Sequence, residues 1–285
     1  MRITNGMLVT NMLFNLNQNM GRLNKLNEQM HTQRKFSVPS DDPIGVSKSL
    51  KYHTDLSKIE QYTRNAEDAN SWMKETESAL NEIGEVLHRA NKLAVQMANG
   101  TYSGDELLKA KEEISQLKEH LIQISNSTYA GRHLFSGYKT DQKLLDENGK
   151  YKVSLIMNDD IAAGKTKEIV EYNVGISETI KVNTLGGRVF GVAKFEDNNE
   201  NKELLDPNYD SDVNNDSKSY LIAVFDKYEK ALAGEIDKEE ISKTITRTQN
   251  CMDQVLSVRS EIGAKMKRLE LTMKKLSSQD LSTQE

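Results

Sequence analysis

The chain has 285 residues, 36% of them hydrophobic, 28% charged and only 6% aromatic, and its mean hydropathy is −0.66. Its 16 glycines and 3 prolines make up about 7% of the chain, against average usage nearer ~12%, so long uninterrupted elements are expected and a collagen-like architecture is excluded. A formal net charge of −5 argues against nucleic acid as a partner, because phosphate affinity needs a basic face.

One cysteine, Cys251, excludes a disulfide scaffold. Nothing approaches the ~20 apolar residues of a membrane span, so no membrane partner is expected. The first residues lack the apolar core of a cleaved secretory signal; the expectation is a cytosolic protein or one exported without loss of a signal.

Residues 1–42 read as an N-terminal helix and linker. Val9, Leu13, Leu16, Met20, Leu23, Asn27 and Met30 follow one another in steps of four and three, the seam of a helix built to meet another helix. The same stretch is rich in asparagine, a mediocre helix former, and a lone helix has nothing to cover its stripe; this segment is therefore expected to stay disordered until it assembles.

Ser40, Asp41, Asp42 and Pro43 mark a helix start. Proline suits the first helical position and pushes the residue before it into the extended geometry of an N-cap. From there, residues 43–138 read as the first half of a helical core. One stripe runs Ile59, Tyr62, Ala66, Ala69, Met73, Thr76, Leu80, Ile83, Leu87, Ala90, Ala94 and Met97; a second runs Trp72, Ala79, Val86 and Leu93. Two stripes mean more than one neighbour. Gly100 is expected to end this helix, and Ser103 with Glu106 matches a capping box for the next. That helix carries Leu107, Ala110, Ile114, Leu117, Leu121, Ile124 and Thr128 and is expected to pack antiparallel on its predecessor and stop at Gly131.

Residues 139–216 read as a β-rich insert. Asn148-Gly149 lies between Leu144-Leu145 and the alternating Tyr151–Leu155, a strong hairpin signal, and Ile169–Val174 and Thr179–Val182 are further strand-like runs. The stretch 195–216 has eight acids and one lysine and reads as loop. Residues 217–250 return to helix, capped by Asp216, with Tyr220, Leu221, Val224, Phe225, Tyr228 and Leu232 as the face and Gly234 as the stop. Asp237 and Glu240 cap the final helix. Residues 251–285 form its coiled-coil end, with Val255, Val258, Ile262, Met266, Leu269, Met273 and Leu276 as the seam. The fold class is mainly α with a β-rich insert: a long antiparallel helical bundle or coiled coil carrying a small inserted β domain.

The chemistry-bearing residues form no active site. Gly164-Lys165-Thr166 resembles the tail of a phosphate loop but has Asp159 where the leading glycine belongs. Asp206, Asn208, Asp210 and Asp212 alternate like a calcium loop, yet Ser211 and Ser217 occupy the positions of the essential glycine and bidentate glutamate, leaving adventitious calcium at most. His31, His53, His88, His120 and His133 show no zinc spacing, and Cys251 reads as a packed thiol. No enzyme, cofactor or metal site is expected.

Four stretches, in order along the chain, resemble the flagellar hook-associated protein 3 family of the flagellin superfamily. They are Phe36-Ser-Val-Pro-Ser-Asp-Asp-Pro-Ile-Gly45, Gly131-Arg-His-Leu-Phe-Ser-Gly137, Asn183-Thr-Leu-Gly-Gly-Arg-Val-Phe-Gly191 and Arg259-Ser-Glu-Ile-Gly-Ala-Lys-Met-Lys-Arg268-Leu-Glu. The last is similar to a C-terminal segment shared with flagellin. The resemblance implies a flagellin-like fold and a structural axial protein between hook and filament, exported unfolded through the flagellar type III apparatus and found outside the cell. Implied partners are copies of itself, a hook-associated protein on the hook side, flagellin on the filament side, and an export chaperone. The seam residues at both ends would complete their coiled coils only in the polymer. The alternative is a flagellin-type filament subunit; flagellin typically has Asp-Asp-Ala-Ala-Gly where Asp41-Asp42-Pro43-Ile44-Gly45 stands here. A soluble helical signalling or adhesion module is a remote alternative.

Overall fold

The computed structural model describes residues 5–36, 38–40, 42–98, 104–159, 166–195, 204–205, 207–235 and 239–284. In chain order the elements are α1 (Asn5–Thr32), α2 (Pro43–Ala98), α3 (Gly104–Ser125), β1 (Thr128–Tyr129), β2 (Arg132–His133), β3 (Glu171–Asn173), β4 (Thr179–Lys181), α4 (Gly186–Phe190), α5 (Tyr220–Leu232) and α6 (Glu239–Gln284). The fold is mainly helical with short antiparallel β pairs. The chain divides into two units, one ending at Ile59 and taking in Thr283 onward, the other spanning Glu60–Ser282.

In the first unit α1 runs from Asn5 to Thr32, and Gln33 leaves it with a left-handed φ of 54°. The chain then folds back far enough for the Gln29 side-chain amide to donate to the Lys35 carbonyl at 2.9 Å. The helix start expected at Pro43 is present. Asp42 is its N-cap: Oδ1 accepts from the Gly45 amide at 3.0 Å, and the Asp42 carbonyl accepts the first helical bond, from Val46, at 2.9 Å. Any Cβ at Gly45 would lie 2.6 Å from the other Asp42 carboxylate oxygen and 2.7 Å from the Phe36 ring, so glycine here lets cap and ring share the first turn. Asp41 lies outside the described residues.

In the second unit both stripes of α2 are covered. Ala66, Ala69, Met73, Thr76, Leu80, Ile83, Leu87, Ala90, Ala94 and Met97 are buried, as are Ala79, Val86 and Leu93 of the second stripe. α3 runs antiparallel to α2: Arg89 pairs with Glu113, whereas Trp72, earlier on α2, meets Tyr129, later in the chain, edge to face at 6.1 Å. α6 is antiparallel to α2 as well. Arg259 donates to Glu77 through Nε and Nη2 at 3.0 and 2.8 Å. Farther along, the β3–β4 ribbon touches Asn65 on one side and Arg268 and Lys275 on the other. α5 is buried nearly all round, even at Lys227, and is held to α3 by Lys118, whose Nζ meets Asp226 and Glu229 at 3.2 and 2.6 Å. It stops as expected: the Gly234 amide donates to the Ala231 carbonyl, and Gly234 has φ 76°.

Two local readings are corrected. α3 ends at Ser125, and Gly131 sits instead in a tight hairpin: Ala130 and Gly131 have φ 49° and 78° and join β1 to β2, the backbone of a type I′ turn. Asp216 does not cap α5. Its φ is 67° and its amide donates to Tyr151, while Ser219 holds the N-cap position and its hydroxyl donates to Phe190. In residues 139–216 ladder pairing is sparse among the described residues. The three-residue strands β3 and β4 pair as the alternation predicts, but Leu145–Tyr151, Leu155–Val213 and Val192–Asn208 are isolated bridges, and α4 interrupts them. Asn148-Gly149 does turn the chain, with Gly149 at φ 72° donating to Asp146. The expected caps Gly100, Ser103 and Asp237 lie outside the described residues.

Candidate assembly surface

Along α1, eleven large apolar side chains from Met7 to Met30 are at least half exposed. Leu13, Leu16, Met20 and Leu23 of the expected seam stand 50–59% exposed, and Met30 79%. Leu16, Met20, Leu23 and Met30 form one stripe at helical spacing. Met7, Leu8, Met12 and Phe14 widen it, so the beginning of α1 is apolar on more than one side. Sequence reading by heptads overlooks these extra residues; the signal for them is the unbroken triplets Met7-Leu-Val9 and Met12-Leu-Phe14. A continuous apolar surface of this length marks an interaction face.

The C-terminal seam has a different fate. Val255, Val258, Ile262, Leu269 and Leu276 are 0–4% exposed, with Met266 and Met273 half-buried, all within the second unit. These residues belong to the chain's own core, in contrast to the expectation that they wait for neighbours. The reason is that α2 already offers two apolar stripes.

The recognised sequence stretches meet in that core. Phe135 and Phe190 stack edge to face at 5.7 Å, and the Gly186 amide donates to the Phe135 carbonyl at 2.9 Å. Arg188 reaches Glu261 at 2.8 Å, and Gln254 donates to the Arg188 carbonyl. Burial would raise the Glu261 pKa, but Lys265 and Arg188 hold it below the ordinary carboxylate range. Gly191, with φ 60°, gives its carbonyl to the buried Tyr151 hydroxyl. Three of the four stretches are therefore framework, and the first is the Phe36–Gly45 cap.

The residues weighed for chemistry also have structural roles. Asn208 Oδ1 accepts from the amides of Asp210 and Ser211, and Asp212 Oδ1 from Met157 at 2.9 Å, so these oxygens brace a loop; Asp206 lies outside the described residues, as do Gly164 and Lys165. No cluster of three metal-ligating side chains occurs among the described residues. Cys251 is buried, which pushes its thiol pKa up to about 12 and keeps it unreactive. No described helix is long and apolar enough to cross a membrane.

Residues 3–140 match the family model for the bacterial flagellin N-terminal helical region. Flagellar hook-associated protein 3 of Escherichia coli K12 is 27% identical over 257 residues, covering 86% of this chain and 74% of that protein. The chain is similar to the flagellar hook-associated proteins over most of its length. The Salmonella typhimurium LT2 protein of the same name is 25% identical over 280 residues, 94% of this chain and 81% of its own length. The fold is shared with a solved flagellar hook-associated protein structure from Vibrio parahaemolyticus, at a TM-score of 0.67 and 19% identity, covering 87% of this chain and 97% of that one. The alignment with the Salmonella protein covers enough of the chain to take in residues of both units.

Proposed function

We propose that this chain is a structural axial protein of the bacterial flagellum that joins hook to filament. The observation that carries this reading is the near end-to-end match to hook-associated protein 3, on a chain whose N-terminal helix leaves its apolar face open. The protein leaves the cell unfolded through the flagellar export apparatus, delivered by an export chaperone, and assembles outside the cell. Asp42, as N-cap, and Pro43 fix where the long helix begins. The stripe of Leu13, Leu16, Met20, Leu23 and Met30 is the assembly seam, covered by copies of the same chain and by the hook-side and filament-side neighbours. The residues from Val255 to Leu276 serve assembly indirectly, by building the chain's own core. Its work is mechanical continuity between two polymers rather than catalysis.

Immunogold labelling of flagella tests the placement. A single band at the hook end is expected; decoration along the filament would instead make the chain a filament subunit. Deleting the gene should leave complete hooks without filaments.

A further inference from the structure

The described residues contain one large apolar side chain that is almost wholly in solvent: Ile176, 91% exposed, at the tip of the β3–β4 ribbon. Tips of such ribbons favour glycine, asparagine and serine, and Gly175 and Ser177 flank it here. The ribbon beneath is well made. Val174 and Ile180 are buried, and the Val174 amide donates to the Glu178 carbonyl at 2.9 Å, so the isoleucine stands on a firm base.

On the same unit, α2 and α6 enclose a mainly apolar groove of about 330 Å³ lined by Leu80, Gly84, Met252, Val255 and Leu256 and edged by His88. Leu256 is 63% exposed, and no atom lies within 4 Å of where a Cβ would stand on Gly84, so the groove is open at that point. We propose that Ile176 of one copy seats in the Gly84–Leu256 groove of a second copy, a contact that rests on the assembly reading above.

Placement favours a second copy over any contact within one chain. The ribbon joins α6 through Arg268 and Lys275, on the side that also carries Val258 and Lys265, whereas Met252, Leu256 and Arg259 face the groove. At 100° per residue these two sets lie on roughly opposite sides of the helix. Asn173, at the tip end of β3, accepts from Asn65, 19 positions before Gly84 on α2, roughly 28 Å at 1.5 Å per residue. A knob and a socket on opposite sides cannot meet in one molecule or close a two-fold dimer; they repeat head to tail, as an axial assembly needs.

The test uses flagella from cells whose only copy of the chain carries Ile176→Cys and Leu256→Cys. After mild oxidation most of the chain should run at two or more chain lengths, collapsing to one under reductant, while either single variant stays monomeric; buried Cys251 does not interfere. Flagella with the chain at the hook end but no cross-linked species overturn the contact and leave the junction reading intact. Absence of the wild-type chain from the hook end overturns both. As a second arm, Ile176→Asp and Gly84→Leu should each raise filament shedding several-fold without lowering the unfolding temperature; wild-type shedding in both overturns the contact.

Discussion

α1 and α6 carry nearly the same apolar alternation, and the structure treats them oppositely. Leu16 and Leu23 in α1 are 50% and 59% exposed, while Leu269 in α6 is fully buried. Charge follows the same division: residues 1–59 carry eight lysines and arginines against four acids, while the chain as a whole is net −5. A heptad seam therefore reports that a helix needs a partner, without saying whether the partner is in the same chain. α6 finds the stripes of α2; the described structure gives the apolar residues of α1 no such cover.

The sharpest way to break this contrast is a matched pair of truncations. Leu269→Ala should lower unfolding free energy by about 2–5 kcal/mol in denaturant titration, since it opens a cavity in a closed core. Leu16→Ala should stay within about 0.5 kcal/mol of wild type while impairing assembly. Equal losses would mean that α1 is packed in the free chain after all.

Glu240 tests the polar support of α6. Burial would raise its pKa, yet Arg247, bonded at 2.8 Å, and Lys243 hold it below the ordinary value. A depressed folded pKa contributes stability that is present above the unfolded carboxylate value near ~4.3 and is lost as pH falls through the folded one. Glu240→Gln should cost on the order of 1–2 kcal/mol at neutral pH and much less under acid, read from unfolding curves across pH.

Asp42→Ala removes the cap of α2 and should cost about 1 kcal/mol, seen as faster amide exchange at Gly45 and Val46 rather than as global unfolding. Gly263→Ala is expected to give the smallest effect, a gain of about 0.5–1 kcal/mol, because a Cβ there meets nothing within 4 Å. If that variant is more stable yet assembles poorly, the glycine is reserved for close approach by a neighbour.

Periodicity was enough to place the long helices. The twin stripes of α2 and the face of α5 are legible because a helix covered by several neighbours must repeat apolar residues at their spacing, and Asp42-Pro43 is legible because proline constrains its own φ and the residue before it. The resemblance was legible in Phe36–Gly45, Gly131–Gly137, Asn183–Gly191 and Arg259–Glu270, although nothing in those strings says that Phe135 would meet Phe190 or Arg188 would meet Glu261. The Ala130-Gly131 turn, the displacement of the α5 cap from Asp216 to Ser219, and the short helix α4 were not legible, because each depends on contacts made by distant segments. Sequence alone determined that this is a helical chain with seams at both ends. Only the tertiary structure decided which seam is core and which is surface, because covering an apolar stripe depends on what else the chain brings beside it.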